Sequence, residues 1–579
     1  MATAQRQAFE APGPGQWALD TGHFPRPATR FTIELFPPPA RDGFAQATAR
    51  FGLLLDYIEW AFVEGWGYLS PRPVAPLREA GPLTREGWDA LVGSSPELQA
   101  RLETSAEVFA RKVWREDLAL WDDELRPALV DGHRRLQTEA PGALDDAALL
   151  AHLDRARESL RRAITVHHRY NVTPVLPVGE LLSLTRDWTG ASANQVLGLL
   201  RGAGPLAVGA AEELAGLATA IRADRGASEA LQSTGAAADV VASLRGRSGP
   251  VGQAASDYVS LVGHWSAGSG FDVDEPSLSE LPELLLEAIR AAAAKPPGAT
   301  DHHGGAGKEA ADQAADLRRA VPAAERSRFD ELLAESRLVH RLRDERALYC
   351  DVWANGLMRR AILAAGARLV DSGRLDQPAH LVEATYPETR SLLEDGSGPS
   401  GDELAARARA RAEADVAAVP PVLGQGLRPP VPTAWLPAGA GRTEAAFRTY
   451  LAAMSEGDEA SGSGGAVRGT PASGGIYEGP ARVVHGASGM ERVRRGDVLV
   501  ADATSPAYSL VLPLVGAIVT DRGGMLSHAA IVAREYGIPA IVGADDATRR
   551  IPDGARVRVD GGTGEATVLD AAGEGPVPA

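Results

Sequence analysis

Cysteine is nearly missing from this chain of 579 residues: Cys350 stands alone. No disulfide framework within the chain is possible, which fits a reducing, cytoplasmic setting. Long apolar runs are missing too. The longest one near the most informative segment, residues 510–519, is broken by Pro513 and Gly516 and is too short to cross a bilayer. Residues 1–7 lead to no apolar core, so no secretory leader is expected. Positive charge is in deficit, with 59 Lys and Arg against 76 Asp and Glu, a net charge of −17. Such a surface repels phosphate backbones and argues against nucleic acid as a partner. A Walker A loop is lacking as well. Gly304 to Lys308 offers neither the first spaced glycine nor the Ser/Thr after lysine. The length exceeds what one core supports, so two or three domains are expected.

What the chain does have is concentrated near its C-terminus. Gly516-Ala517-Ile518-Val519-Thr520 is apolar and β-branched, as a buried strand requires. Gly523-Gly524 permits a sharp turn and a close backbone approach to a ligand. Ala529 to Tyr536 are good helix formers, Gly537 fits the C-cap, and Pro539 prevents continuation before the strand-like Ala540-Ile541-Val542-Gly543. His528 therefore stands at the mouth of a short helix. Unpaired N–H groups and the helix dipole favour anions there, so this imidazole can hold a phosphoryl group on a ring nitrogen. The N–H groups around Ser527 and Ala529, helped by the Ser527 and Thr504 hydroxyls, would supply donors to the transferring group. Arg522 reads either as a clamp on that group or as a surface residue.

The run Gly-Gly-x-x-Ser-His-Ala-Ala-Ile-Val-Ala-Arg-Glu-x-Gly-Ile-Pro-Ala over residues 523–540 resembles the phosphohistidine signature of the phosphoenolpyruvate-utilising enzymes. That family includes pyruvate phosphate dikinase, phosphoenolpyruvate synthase and rifampicin phosphotransferase. The likeness extends back through Gly496-Asp497-Val498-Leu499-Val500 and Thr504-Ser505-Pro506 to Gly474, and forward over 554–569; Asp502 stands where relatives often have proline. The resemblance implies a small swivelling β/β/α domain in which His528 carries the phosphoryl group, with Gly523, Gly524 and Thr504 around it.

Upstream, the pattern from about Gly43 to Leu393 predicts mainly helix. Leu53, Leu54, Leu55, Ile58, Ala61 and Phe62 recur at three- and four-residue spacings; so do Leu149, Leu150, Leu153, Ala156, Leu160 and Ile164, and later Leu332, Leu333, Leu338 and Leu342. Residues 171–179 read as a connection and 295–312 as a mobile insert. Residues 394–475 are rich in Gly, Ser, Pro and Ala, with a short helix near Glu444 to Met454. The expected fold class is multidomain, α plus α/β. A large helical acceptor-binding body spans 1–393, a flexible hinge 394–470 and the phosphohistidine domain 471–579.

The body also resembles the helical acceptor-binding domain of rifampicin phosphotransferase-like proteins. The likeness lies in His23-Phe24-Pro25-Arg26-Pro27, residues 263–272, Arg343-Asp344-Glu345-Arg346 and the tract 348–388. Arg343 and Arg346 share a helix face; the resemblance makes them a phosphoryl grip, although Ala347 stands where relatives often have lysine. The competing reading is an exposed helix paired with Asp344 and Glu345. His264 and Asp272 flank a Gly/Ser-rich turn and read either as a general base for an acceptor hydroxyl or as turn-forming polar residues. Adjacent His167-His168 point to different faces of a helix and do not suit a metal pair. His302-His303 are expected to face solvent. No metal site is expected.

Enzymes of this kind normally begin with an ATP-grasp domain, and some end in a (β/α)8 domain. Neither is visible: the body comes first, and about 50 residues follow His528, against roughly 250 for a barrel. The expectation is a phosphotransferase component loaded by a separate ATP-grasp partner that holds ATP and Mg2+, with a small-molecule hydroxyl as acceptor. Two alternatives stand beside it: a phosphorylation-dependent dehydratase, and a non-catalytic phosphohistidine regulator. From the missing nucleotide domain, calorimetry of the isolated chain is expected to show no ATP binding; a Kd of about 1 μM would contradict this.

Overall fold

The computed structural model describes residues 9–203, 210–294, 302–426, 429–455, 466–485, 489–504, 508 and 511–570. Packing divides the chain into two units. One comprises Met1–Thr173, Phe271–Asp274 and Tyr349–Ala445; the other comprises Pro174–Gly270, Glu275–Leu348 and Ala446–Ala579. These units do not follow the chain-order division into 1–393, 394–470 and 471–579.

In the first unit, Asp145 starts the Asp146–Arg169 helix, its carboxylate accepting from Ala148 N at 2.8 Å. Leu149, Leu153, Ala156, Leu160, Ala163 and Ile164 form its buried stripe. Each such leucine contributes about 2 kcal/mol of burial. The Pro37–Arg50 helix crosses this one at Gly43, where a Cβ would lie 2.3 Å from the Thr165 carbonyl oxygen. The Trp353–Asp371 helix packs on it as well, bringing buried Ala361 and Ala365.

One helical expectation gives way here. Residues 55–63, whose spacing predicts helix, form the strand Leu55–Val63, paired antiparallel with Trp66–Pro73. Tyr57, Ile58, Trp60, Phe62 and Val63 are aromatic or β-branched and suit a pleated surface. Glu64 and Gly65, at φ 52° and 82°, close the hairpin in the left-handed geometry such tight turns use. Trp17–Leu19 and Val422–Leu423 complete a four-stranded antiparallel sheet.

In the second unit, the Val175–Thr189 helix packs on Arg326–His340. It begins inside the expected 171–179 connection. Pro177 sits in its first turn, where a missing N–H is tolerated. Of the expected mobile insert, 295–301 lie outside the described residues and the rest opens the His302–Ala320 helix. The side chains of His302 and His303 are likewise outside the description.

The sheet of this unit has eight strands. Ile476–Val484, Val498–Ala501, Ala517–Thr520 and Ala540–Val542 run parallel at its centre. Arg556–Asp560, Glu565–Asp570 and Ala466–Arg468 extend one side antiparallel, and Thr470–Ser473 closes the other. Val483, Val498, Val500, Val519, Ile541, Val557 and Val559 make its core. Parallel strands buried on both faces explain the unbroken apolar runs of the sequence.

The expected hinge over 394–470 is largely structured. It contains the Gly401–Ala412 helix, most of the Ala438–Ser455 helix and the Ala466–Arg468 strand, while 456–465 lie outside the described residues. Alanine, read there as linker composition, is the strongest helix former. Among the described residues, no helix is long and apolar enough to cross a membrane.

Two glycine substitutions should move stability in opposite directions. Gly43→Ala drives a methyl into the Thr165 carbonyl and is expected to cost about 1–3 kcal/mol. Gly132→Ala, on the Arg126–Thr138 helix with nothing within 4 Å of the new Cβ, is expected to add about 0.5–1 kcal/mol. Denaturant midpoints would check both signs.

Candidate active site

The Ala517–Thr520 strand ends in a turn that is held residue by residue. The buried Asp521 carboxylate accepts from Thr548 N at 2.8 Å and from the Thr548 hydroxyl. Arg522 N donates to Asp502 O at 2.9 Å, and the Thr520 hydroxyl donates to Arg522 O at 2.8 Å. Gly523 adopts φ 115°, a region closed to other residues. Gly524 lies so near the Met454 carbonyl that a Cβ would come within 2.1 Å of its oxygen. Ser527 then caps the His528–Tyr536 helix, its hydroxyl accepting from Ala530 N at 3.3 Å. Gly537, at φ 63°, ends it. Ser527 thus acts on the helix directly and on His528 by fixing where the helix begins.

His528 is the first residue of that helix. The residue is half-buried. Burial, and then the Arg343 guanidinium, push its pKa down to about 3. The imidazole is therefore neutral and nucleophilic at physiological pH. Arg343 lies on the Leu342–Arg346 turn of helix and donates to the Tyr450 hydroxyl at 3.4 Å. His528 and Arg343, singled out separately in the sequence, are thus electrostatic neighbours within one packed unit.

Several neighbours escaped the sequence reading. His340 is held down to about 3 by burial and by Arg343, Arg534 and Arg337. Arg534 is buried. It donates to Ala472 O at 3.1 Å, to Asn194 Oδ1 at 3.3 Å and to Met525 O. Burial and Arg343 lower it to about 9. Glu535 accepts from Gly202 N at 2.7 Å, and burial raises it to about 7. His340, Arg534 and Glu535 line one small cleft with Leu526 and Ile531. His340 precedes Arg343 by three residues, so the shared helix face was a signal available in the sequence. Asn194 and Gly202 meet the helix from distant sequence and left no such signal.

The other expected residues are placed as follows. Arg346 acts on Asp344, whose carboxyl burial raises. Glu345 is buried and pairs with Arg341 at 2.8 Å, so this is not the exposed, salt-bridged helix of the competing reading. The Thr504 hydroxyl oxygen is buried without a hydrogen-bond partner among the described residues. His264 and Asp272 fall in different units. The Asp272 carboxylate accepts from Thr29 N at 2.8 Å, Thr29 Oγ1 at 2.7 Å and Thr32 Oγ1 at 2.8 Å. It is consumed in fixing the start of the Arg30–Leu35 helix, and burial raises it to about 7. The Gly/Ser turn between them instead wraps Glu275. That carboxylate accepts from Ser266 Oγ at 2.8 Å, Ser269 N at 2.6 Å and Gly270 N at 2.7 Å. Among the described residues, no three His, Cys, Asp or Glu side chains group as a metal site.

Residues 493–564 match the PEP-utilising enzyme mobile domain, and residues 167–344 match the fourth domain of rifampicin phosphotransferase. An uncharacterized protein of Mycobacterium tuberculosis is 34% identical over 218 residues, 38% of this chain and 22% of the relative. The rifampicin phosphotransferase of Streptomyces sviceus is 45% identical over 105 residues, 18% of this chain and 12% of the relative. The phosphoenolpyruvate synthase of Escherichia coli is 51% identical over 90 residues, 16% of this chain and 11% of the relative. The chain thus spans about a fifth or less of the length of these relatives. The two family matches cover Arg343 in one and His528 in the other. The resemblance to phosphoenolpyruvate-utilising enzymes and to rifampicin phosphotransferase therefore holds.

The field around His528 can be tested by titration. A depressed imidazole favours the neutral form when folded. Its contribution to stability is present above the unfolded pKa of about 6.5 and is lost as pH falls toward 3. Glu535, raised to about 7, has the opposite sign: its contribution is present below about 4.5 and is lost as pH rises through 7. Arg343→Gln removes a cation, so the His528 ring should titrate at higher pH by nuclear magnetic resonance. An unchanged midpoint would contradict the assigned cause.

Proposed function

We propose that this chain is a phosphotransferase component that carries a phosphoryl group on His528. The observation that supports this most is the neutral imidazole at a helix N-terminus beside Arg343, within the phosphohistidine-type turn. In this reading a separate ATP-grasp protein binds ATP and Mg2+ and presents the β-phosphoryl group. A ring nitrogen of His528 forms the N–P bond to the β-phosphorus while the α–β bridging P–O bond breaks and its electron pair leaves with AMP; water then attacks the γ-phosphorus, the β–γ bridging P–O bond breaks, and phosphate departs, leaving one phosphoryl group on His528. In the second step a hydroxyl oxygen of a small molecule attacks phosphorus, the N–P bond breaks and its pair returns to the imidazole. Overall, ATP, alcohol and water give AMP, phosphate and a phosphoester. Splitting one transfer into two is covalent catalysis. Arg343 and the N–H groups after Ser527 supply fixed positive charge to a loose transition state. Because loading and discharge use different surfaces, the reading requires the His528 domain to change position between them.

Incubation with the cognate ATP-grasp protein and β-labelled ATP should place an acid-labile, base-stable label on the chain. His528→Ala should take up none. A His528→Ala protein that labels normally would overturn the reading. Arg343→Gln should slow labelling or discharge by about 100-fold, the usual loss for a preorganised charge at a transition state.

A further inference from the structure

Loading and discharge on different surfaces require the His528 helix to leave the position it holds here and to return to it. A small set of polar contacts, all within the second unit, holds it in place. A capping box opens the Ala193–Gly198 helix, with Ser192 Oγ accepting from Gln195 N at 3.2 Å and Gln195 Oε1 accepting from Ser192 N at 2.9 Å. Asn194 lies in the first turn. Its amide accepts from Arg534 Nη1 at 3.3 Å and donates to Pro471 O at 3.0 Å, so one side chain grips both the His528 helix and the strand Thr470–Ser473. The turn after this helix is pinned from the Arg326–His340 helix, where Arg337 donates to Leu199 O at 3.0 Å and to Arg201 O at 3.3 Å. Gly202 then takes φ 70°, which favours glycine, and aims its N–H at Glu535 Oε2, 2.7 Å away.

Glu535 differs from the other contacts because it can gain or lose a proton. It lies seven residues after His528, two turns along the same helix face. Its cleft is walled on the far side by Leu197, Leu200, Arg201 and His340. The charged groups that act on it are Asp344, Arg534 and Arg201, the last paired with Glu309 of the His302–Ala320 helix at 3.3 Å. The strands packed against its helix, 470–473, 517–520 and 540–542, carry no ionisable side chain. Burial raises this carboxyl to about 7, and Asp344 adds to the effect. Leu197, Leu200, Gly202 and Asp344 belong to the helical residues 174–348, whereas Glu535 belongs to the His528 domain. When the helix leaves, those surroundings are lost and the carboxyl returns to water, where it ionises near its ordinary value of about 4.5.

We propose that Glu535 is a positioning residue for the phosphoryl carrier: the His528 helix docks on the 194–202 surface with the Glu535 carboxyl protonated, and gives that proton to water when it leaves. A neutral carboxyl still accepts from Gly202 N through one oxygen, so this contact needs no negative charge. A group that holds its proton more tightly when docked favours docking in acid. The preference is full below about 4.5 and is lost as pH rises through 7. Docking thus takes one proton from solvent, and undocking returns it. The reason for the motion rests on the phosphotransferase reading above; the proton linkage itself involves neither nucleotide nor phosphoryl group.

Pulsed electron resonance on the full, unphosphorylated chain can read the position of the helix. Spin labels go on Arg225→Cys and Arg556→Cys, whose native side chains are exposed, while buried Cys350 is left in place. Between pH 6 and pH 8 the ratio of docked to displaced distances should fall about tenfold in this labelled parent. Glu535→Gln keeps an acceptor for Gly202 N but cannot ionise, so its docked fraction should stay high and flat across that range. Asn194→Ala removes the contacts to Arg534 and Pro471; it should lower the docked ratio about tenfold at every pH and leave the pH dependence unchanged. A parent ratio that does not move with pH, or a Glu535→Gln protein with the parent's pH dependence, would overturn the proposal. A chain that never labels on His528 would sink the phosphotransferase reading alone, because no distance measured here depends on that label.

Discussion

The effect of Arg343 on His528 is the interaction on which the site depends. A phosphoryl carrier needs a ring that is neutral when empty and surrounded by positive charge when loaded. Those demands conflict for an isolated histidine, because an anion that would balance the cations would also raise the imidazole pKa. Here burial and a guanidinium act in the same direction and keep the ring unprotonated. The same guanidinium bears on His340 and Arg534, and both are shifted down with it. One cation therefore adds to the effect of burial at three neighbours. Arginine suits that task, since its own proton is not lost.

Local chemistry made the His528 turn legible in the sequence, and its absence made other parts illegible. The cap at Ser527, the left-handed Gly523 and Gly537 and the stop at Pro539 each act within a few residues, so reading them needs no tertiary knowledge. Leu55–Val63 misled because a nearly continuous apolar run satisfies three- and four-residue spacing by accident. Its aromatic and β-branched content was the better guide. The Ala-rich tract over 394–470 misled in the other direction, since glycine and proline were given more weight than alanine. Asp272 reads from the sequence as a general base or a turn-forming residue, but its partners Thr29 and Thr32 lie some 240 residues away. No spacing rule could have paired them.

The Gly/Ser turn 266–270 shows how a polar loop can look catalytic and be structural. Ser266, Ser269 and Gly270 aim donors inward at Glu275, and Gly268 has no room for a side chain, with a new Cβ falling 2.1 Å from the Glu275 carboxyl carbon. A carboxylate with so many donors is a satisfied buried charge, and breaking it would leave an uncompensated one. Composition alone cannot separate such a nest from a phosphate loop, because both use short side chains and free N–H groups. What distinguishes them is whether the anion comes from the chain itself, and here it does.

The His528 site differs from that nest in its charge balance. Arg343, Arg337 and Arg534 act on His340, and Arg343 acts on His528, while Glu535 is pushed toward its neutral form and Asp344 is raised as well. The acids that could offset the guanidiniums are thus the ones burial drives toward protonation. A phosphoryl group on the ring would bring close to two negative charges into that field and relieve it. In the proposed cycle, the docked arrangement therefore favours the loaded carrier over the empty one, and discharge removes the charge that holds it there. On this proposal, the field would hold the domain while the phosphoryl group is present and loosen it once that group has gone.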